Sequence, residues 1–316
     1  MTKPLMIVEN GKPSSGLSVA VSTMKVEYSK EINIRKYKEF IRAAKKRKVD
    51  LIVFPEMSLQ GYLWSNEPSW CLPSETSRYH WNSAETVPGK STDILCKLAK
   101  QNQIYIAFGM GRRGFFDNSG IEMLYNSAVI VGPDGIIGVQ DKIHNPGGEK
   151  HIFRSGKGIE VFETPLGKIG MLICWDIAFP EVPRIMALKG ADILILCTAW
   201  GIGSDLIYQN DVFKGIGHHA YELFVRCRAL ENNVWMLSSN WVGKDTRSGF
   251  DFRGGSTIIH PMGVDLVKIS DSEGLAIAHG LDIKGERLKC KTDYLFGNNI
   301  FLDRRPDLYG PLSHIF

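Results

Sequence analysis

The sequence has 316 residues, 44% of them hydrophobic and 10% aromatic, with 38 Lys and Arg against 34 Asp and Glu. This composition excludes a disordered or collagen-like chain, and the net charge of +4 is too small and too evenly spread to indicate a nucleic acid or an acidic membrane surface as the partner. The length allows one large domain or two smaller ones. No stretch approaches the roughly 18 apolar residues of a membrane-spanning helix, and the first ten residues contain no apolar signal segment, so we expect a soluble protein of the cytoplasm.

Strand and helix patterns alternate from one end of the chain to the other. Helices are predicted after the capping residue Ser29, at Ser91–Asn102, from Pro180 to about Lys189 and over roughly residues 212–233. Short apolar runs bounded by turn residues predict strands at Leu17–Met24, Leu51–Phe54, Ile104–Met110, Leu124–Val131, Ile136–Val139, Ile159–Glu163, Ile169–Ile173, Asp192–Cys197, Val234–Asn240, Ser256–His260, Val264–Ile269 and Leu275–Ile283. Residues 62–89 carry three tryptophans and little periodicity, which indicates a long aromatic loop of the kind that often has a function.

These elements predict an α/β fold. Two β-α-β blocks, each with further strands, indicate two facing mixed sheets with helices outside, which is a four-layer α-β-β-α sandwich. No Ser- or Gly-rich linker and no run of charges separates two halves of the chain. We therefore expect a single domain over residues 1–316, with a core at about 17–283 and an irregular C-terminal tail at 284–316.

Two predicted strands end in polar residues that burial alone would not select. Glu56 follows the apolar run Leu51–Pro55, and Cys174 follows Ile169–Ile173. The carboxyl ends of strands are where ligands bind in open α/β sheets, although a buried salt bridge for Glu56 and simple core packing for Cys174 are the structural alternatives. The six cysteines form no C-x-x-C pair and are typical of free thiols in a reducing compartment. A thiol with a pKa near 8.5 is mostly protonated at neutral pH, so a cysteine nucleophile needs a neighbouring cation or a general base.

Three segments in this order and at these separations resemble the carbon–nitrogen hydrolase (nitrilase) superfamily, most closely its amidase or N-carbamoylputrescine amidohydrolase-like branch. They are Phe54-Pro55-Glu56, Asp141-Lys142-Ile143-His144 and Ile173-Cys174-Trp175-Asp176 with the later Phe179-Pro180-Glu181. The similarity continues through residues 228–233, 255–259 and 261–263, so it covers most of the chain from Leu17 to about Ile283. One such segment alone is a weak signal, but all three in register are a strong one.

The resemblance implies a thiol amidohydrolase that needs no metal and no cofactor. Carried over residue by residue, it assigns Cys174 as the nucleophile, Glu56 as the general base, Lys142 as the stabiliser of the oxyanion and Glu149 as a second glutamate that positions the substrate. A thioester on Cys174 would form and then be hydrolysed. The implied substrate is a small linear carboxamide or N-carbamoyl (ureido) compound, and the family also implies a homodimer or a larger homo-oligomer.

The sequence gives weaker indications of which residues bind the substrate. Candidates for the pocket are Trp175, Tyr62, Trp200 and His144, with Trp64 and His151 as further possibilities. A charged end of the substrate could be met by Asp176, Asp205 or Arg226.

Asp176 and the later Phe179-Pro180-Glu181 favour amides over nitriles, because nitrilases proper usually have Cys-Trp-Glu without the later motif. A nitrilase and an acyltransferase on the same fold remain alternatives. A non-catalytic interaction protein would be expected to lack one of Glu56, Lys142 and Cys174, and none is missing. A metal hydrolase built on His144, His218 and His219 is disfavoured because no H-E-x-x-H motif occurs.

Overall fold

The structure is a computed structural model, and it describes residues 5–63, 75–116, 120–201, 216–245, 247–293 and 298–314. The helices in these ranges are α1 (Lys30–Lys46), α2 (Glu75–Ser83), α3 (Lys90–Asn102), α4 (Glu181–Leu188), α5 (Ile216–Asn232) and α6 (Ile283–Asp293). The strands are β1 (Met6–Asn10), β2 (Leu17–Met24), β3 (Leu51–Val53), β4 (Tyr105–Phe116), β5 (Ile121–Gly132), β6 (Gly135–Asp141), β7 (Val161–Thr164), β8 (Gly167–Ile173), β9 (Ile193–Cys197), β10 (Trp235–Lys244), β11 (Asp251–Arg253), β12 (Ser256–Ile259), β13 (Asp265–Ile269) and β14 (Gly274–Leu281). Short 3₁₀ segments include Gly147–His151 and Cys174–Ala178. None of the helices in the described ranges is both long and apolar enough to cross a membrane.

The strands form a mixed α/β sheet with the order β6-β5-β4-β3-β2-β10-β9-β8-β7. We call β1–β6 with β14 the first strand group and β7–β13 the second strand group. Among the described residues, strand pairing joins the two groups only where Asn240 pairs with Thr23 and Trp241 pairs with Met24. Within the described residues the strand pairing is therefore continuous over fourteen strands, whereas the sequence predicted two facing mixed sheets. The narrow junction is the reason for the difference, because two residue pairs carry no recognisable sequence signal.

Successive residues of the strands contribute to different hydrophobic clusters, as the two-residue repeat of a strand requires. In the first strand group, Ala20 belongs to a cluster with Phe40 of α1. Its neighbour Val19 belongs to a second cluster that also contains Met171 of the second strand group. In that group Leu172 belongs to a third cluster, together with side chains of α4 and α5. Strands of both groups are thus buried on two faces, which explains why they read as continuous apolar runs.

Helix α1 shows how local sequence signals set the element boundaries. The Ser29 hydroxyl accepts a hydrogen bond from the Ile32 N–H at 3.3 Å, so Ser29 caps the helix as predicted. At the other end Lys48 has a φ of +57°, and its N–H bonds back to the Lys45 carbonyl while the Val49 N–H bonds to the last helical turn. This left-handed end is usually made by glycine, and here an exposed lysine carries the strain.

Two predicted irregular regions contain helices. The predicted loop 62–89 includes α2, and residues 64–74 lie outside the described part of the chain. Helix α2 is fixed by His80, whose buried ring packs against Phe153 at 5.0 Å between centroids. The predicted irregular tail begins with α6, where Arg287 forms a buried ion pair with Asp192. In both cases the stabilising contact comes from a distant part of the chain. Strands β1 and β11 were also not predicted, because they are short and partly exposed.

Candidate active site

Three chemically reactive side chains follow the ends of strands in both groups. Glu56 comes shortly after β3, Lys142 directly after β6 and Cys174 directly after β8. The first two belong to the first strand group and Cys174 to the second. The fold therefore brings together residues that are as far as 118 positions apart, as the difference between 174 and 56 shows.

Lys142 lies between two carboxylates in the protein interior. Its Nζ atom is 2.8 Å from Glu56 Oε1 and 2.8 Å from Glu149 Oε1, and the Lys142 side chain is 0% exposed. Burial alone would lower the pKa of Lys142, but the carboxylates of Glu149 and Glu56 outweigh it and hold that pKa well above its usual value. The amine is therefore a fixed positive charge in a dry site, where it interacts strongly with any developing negative charge.

Glu56 is held by donors from both strand groups. Asn126 Nδ2 donates to its Oε1 atom at 2.7 Å, and the Ala199 N–H donates to its Oε2 atom at 2.8 Å. The indole N–H of Trp241 binds the main-chain carbonyl of Glu56 at 2.6 Å. With Lys142, three donors occupy three of the roughly four acceptor positions of this carboxylate, so one position is left for a proton from another group.

The turn that carries Glu56 is shaped by a glycine and a strained residue. Met57, the next residue, has a φ of +49°, which is unusual for a side chain other than glycine. Strand β4 passes so close that a Cβ atom at Gly109 would lie 2.5 Å from the Glu56 Cα atom and 2.5 Å from the Met57 nitrogen. Glycine is therefore required at position 109 for the turn to take this form.

Cys174 also has a left-handed backbone, with a φ of +45° between β8 and the 3₁₀ segment. Burial raises the pKa of its thiol above the usual value, the charge of Glu56 raises it further, and Lys142 lowers it. The raised pKa means that the resting thiol is protonated. Of the two forms of help that the sequence suggested, a cation or a general base, a protonated thiol favours a base that removes the proton during the reaction.

Glu149 completes the buried charge cluster from the 3₁₀ segment Gly147–His151. Burial raises the pKa of its carboxyl to about 7, although Lys142 acts in the opposite direction. Tyr62 is also buried and interacts with the Glu149 carboxylate. Burial and the charge of Glu149 raise the pKa of Tyr62, so its hydroxyl stays protonated and can donate.

An aromatic wall lies on the cysteine side of the site. Trp175 is 38% exposed, and its ring centroid is 5.8 Å from that of Trp200. The Trp200 indole N–H donates to the Gly217 carbonyl at 2.9 Å, and its ring lies 6.0 Å from Tyr221. Tyr221 and Tyr62 both interact electrostatically with Cys174, so both lie near the thiol.

A family model described as carbon-nitrogen hydrolase matches residues 18–281. The chain belongs to the carbon–nitrogen hydrolase family. It is 32% identical to a protein named nitrilase from Pyrococcus abyssi over 279 residues, which is 88% of this chain and 92% of the relative. It is 31% identical to N-carbamoylputrescine amidase from Solanum lycopersicum over 293 residues, 89% of each chain. The solved carbon-nitrogen hydrolase of Helicobacter pylori G27 is similar with a TM-score of 0.77 and 27% identity, over 95% of this chain and 98% of that one.

Several predicted binding residues of this carbon–nitrogen hydrolase have other partners. Arg226 pairs with Asp265, so it is not free to meet a charged substrate. Asp176 is 1% exposed and accepts hydrogen bonds from backbone groups, which also excludes it from that task. His144 donates to Asp176 through a contact of 3.0 Å and stacks on Phe179.

Trp64 and Asp205 lie outside the described residues, and His151 is exposed. His218 contacts Glu222 at 3.2 Å. No group of three or more His, Cys, Asp and Glu side chains in the described ranges is arranged to hold a metal ion.

The supporting residues of the site could not be recognised in the sequence. Asn126, Trp241 and the Ala199 N–H contact Glu56 across 70, 185 and 143 positions. Gly109 lies inside a predicted strand, and a glycine there was the one available signal of a close backbone approach.

Proposed function

We propose that this carbon–nitrogen hydrolase is a thiol amidohydrolase that cleaves the C–N bond of a small linear carboxamide or N-carbamoyl compound. The observation that carries the proposal is the buried Lys142 between Glu56 and Glu149, close enough to Cys174 to lower the pKa of its thiol. A fully buried lysine that interacts with a cysteine at the end of a strand fits a site where negative charge develops.

In the proposed first step, Glu56 takes the proton of the Cys174 thiol while the sulfur bonds to the substrate carbonyl carbon. The carbonyl oxygen becomes an oxyanion, which Lys142 and the N–H of Trp175 stabilise. Trp175 is the second residue of a 3₁₀ segment, and the first N–H groups of a helix have no acceptor within it. Loss of one such donor costs about 10²–10³ in rate.

The collapse of the oxyanion breaks the C–N bond, and the proton on Glu56 goes to the leaving nitrogen. Ammonia or an amine departs, and a thioester remains on Cys174. Glu56 then takes a proton from a water molecule that attacks the thioester carbonyl, and the proton returns to the sulfur as the acid leaves.

The charge of the site supports a proton transfer inside it. A thiolate formed by losing its proton to water would add a negative charge to this buried site, at a cost of several kcal/mol. A transfer from the Cys174 sulfur to Glu56 leaves the net charge unchanged, so the cluster favours general-base catalysis over a preformed thiolate.

The substrate class rests on Glu149 and on the relatives. The second carboxylate on Lys142 can accept a hydrogen bond from a substrate N–H, which an amide or ureido compound has and a nitrile lacks. We assign Trp175, Trp200 and Tyr62 to the pocket wall and His144 to its edge. One relative is named N-carbamoylputrescine amidase and another is named nitrilase, so nitrile hydrolysis is the second candidate function.

A panel of carboxamides, ureido acids and nitriles tests the proposal by the release of ammonia. We expect turnover of at least one amide or ureido compound, and hydroxylamine added to the assay distinguishes acyl transfer from hydrolysis. Cys174→Ala should abolish turnover and leave no covalent adduct in mass spectra, whereas Glu56→Gln should still trap an acyl group on Cys174. Turnover of nitriles alone would favour the second candidate, and an adduct on another residue would contradict the assignment of the nucleophile.

We further propose a single domain in which the two strand groups face each other as a four-layer sandwich. The three hydrophobic clusters support it, because one lies between the strand groups and each of the others lies under helices. The unpaired state of all described cysteines supports a cytoplasmic location.

We also propose that the protein forms a homo-oligomer through the outer face of α4 and α5. The neighbouring helices expose Ile185, Leu188 and Leu223 by 37%, 46% and 46%. Light scattering of the wild type and of Leu188→Glu tests this, and a monomeric wild type would contradict it.

A further inference from the structure

Asp176 lies outside the charge cluster but connects its two sides. It is the third residue of the 3₁₀ segment that begins at Cys174, and its carboxylate is buried. Its Oδ1 atom accepts from the His144 N–H at 2.8 Å, from His144 Nδ1 at 3.0 Å and from the Ile143 N–H at 3.2 Å. Its Oδ2 atom accepts from the Ile173 N–H at 3.2 Å. These donors fill the acceptor capacity of a carboxylate.

The four donors come from two segments, one directly after Lys142 and one directly before Cys174. The Ile143 N–H belongs to the peptide bond that follows Lys142, and the Ile173 N–H belongs to the residue before Cys174. One carboxylate therefore fixes the backbone beside the amine to the backbone beside the thiol. The contact to Ile173 is local and would be explained by the turn itself, but the contacts to Ile143 and His144 join residues 33 and 32 positions apart.

A ring contact reinforces the same connection. The His144 imidazole stacks on Phe179, with centroids 3.7 Å apart and planes at 10°. Because a carboxylate only accepts hydrogen bonds, the His144 ring must donate its Nδ1–H to Asp176, which fixes both its tautomer and its orientation. The segment after Lys142 is thus attached at two points to the turn that follows Cys174.

We infer that Asp176 is a positioning residue that sets the distance between the Lys142–Glu56 pair and the Cys174 sulfur. The inference rests on the proposed function, because it assumes that Glu56 takes the thiol proton. Lys142 and Glu56 lie in the first strand group and Cys174 in the second, so their separation is not fixed by one strand or one turn. A displacement of about 1 Å in such an arrangement can lower a rate by about 10².

The test uses Asp176→Asn with Asp192→Asn as its matched control. The asparagine keeps the shape but replaces one acceptor oxygen with a donor that faces backbone N–H groups. Asp192 is also a buried carboxylate that accepts a backbone N–H, from Lys168 at 2.9 Å, but it precedes β9, at the end of that strand away from the site. Both variants should lose thermal stability, and only Asp176→Asn should lose reactivity.

The first readout is the alkylation rate of Cys174 by iodoacetamide, followed by mass spectrometry with the partly exposed Cys96 of α3 as the internal reference. We expect Asp176→Asn and Glu56→Gln to lower the Cys174 rate by about 10-fold to 10² and Asp192→Asn to leave it within threefold. If Glu56→Gln reacts like the wild type, the proposed function fails. If Glu56→Gln is slow but Asp176→Asn reacts like the wild type, only the positioning role fails.

The second readout is steady-state turnover of the amide or ureido compound that the wild type cleaves fastest. A positioning role predicts that Asp176→Asn lowers kcat by about 10² with KM within threefold, measured at a temperature where the variant is folded. A raised KM with unchanged kcat would instead make Asp176 a substrate-binding residue and overturn the inference. Should Asp176→Asn not fold, Asp176→Glu keeps the charge and moves the carboxylate by one methylene. Wild-type alkylation in that variant would overturn the inference as well.

Discussion

Replacing Lys142 with methionine separates what the buried amine does for stability from what it does for catalysis. Methionine fills a similar volume but removes the positive charge between Glu56 and Glu149, which are both buried. Breaking a buried ion pair by removing one partner costs about 3–5 kcal/mol, because a charge is left without compensation. We expect a loss of this size in the free energy of unfolding at pH 8, measured by urea denaturation.

The loss of unfolding free energy in Lys142→Met should be smaller at acidic pH than at pH 8. Lys142 lowers the pKa of Glu149, which is about 7 in the wild type. Removing Lys142 raises that pKa further, so above about pH 7 the folded variant holds a proton that the wild type has lost. Where the folded state binds more protons than the unfolded one, stability falls as pH rises. The difference in unfolding free energy between Lys142→Met and the wild type should therefore grow by up to about 1.4 kcal/mol for each pH unit in which only the folded variant holds that proton.

Two further variants make this prediction specific. The double variant Lys142→Met/Glu149→Gln removes one of the two carboxylates that lost their counter-charge, so it should regain part of the stability while remaining inactive. Lys30→Met is the control, because Lys30 pairs with Glu85 at 2.7 Å in a partly exposed position and should cost less than about 1 kcal/mol. The reasoning is refuted if the double variant is as unstable as the single one, or if it cleaves amides at the wild-type rate.

Three other substitutions have clear expected results. Gly109→Ala should lower the free energy of unfolding by about 1–3 kcal/mol and reduce kcat, because its methyl group would lie 2.5 Å from the Glu56 Cα atom. Gly310→Ala is the control: it has open space around it and should change neither quantity. Burial lowers the pKa of His80 to about 4, so stability should fall by about 3 kcal/mol between pH 6.5 and 4, and unfolding curves of His80→Gln should show a flatter dependence. Lys48→Gly should raise the unfolding free energy by about 1 kcal/mol, since glycine takes a φ of +57° without strain, and an unchanged midpoint would count against this.

The sequence allowed most strands and the strand-end positions of Glu56 and Cys174 to be predicted, because buried apolar runs that stop at a polar residue are local signals. Lys142 and Glu149 were identified only through the resemblance to the family. Helices α2 and α6 were missed because His80 and Arg287 are fixed by contacts with distant segments.

The pKa values of the site residues depend on burial, so they could not be predicted from the residue types alone. The sequence suggested a cation or a base as the activator of Cys174, and only the structure showed that burial raises the pKa of its thiol. Asp176 was one of three candidates to meet a charged end of the substrate, and its partners at positions 143 and 144 became visible only in the folded structure, which brings the two segments together. Contacts over such separations depend on the closed fold, and no short motif encodes them.

The narrow junction of the two strand groups has a consequence for how the molecule fails on heating. Thiol and base lie on opposite sides of that junction, and its paired residues include Trp241, which also holds the Glu56 carbonyl. A slight parting of the two halves would misalign the reacting atoms while every strand kept its own neighbours. On heating, the rate of turnover should therefore decline at a temperature several degrees below the one at which circular dichroism detects unfolding.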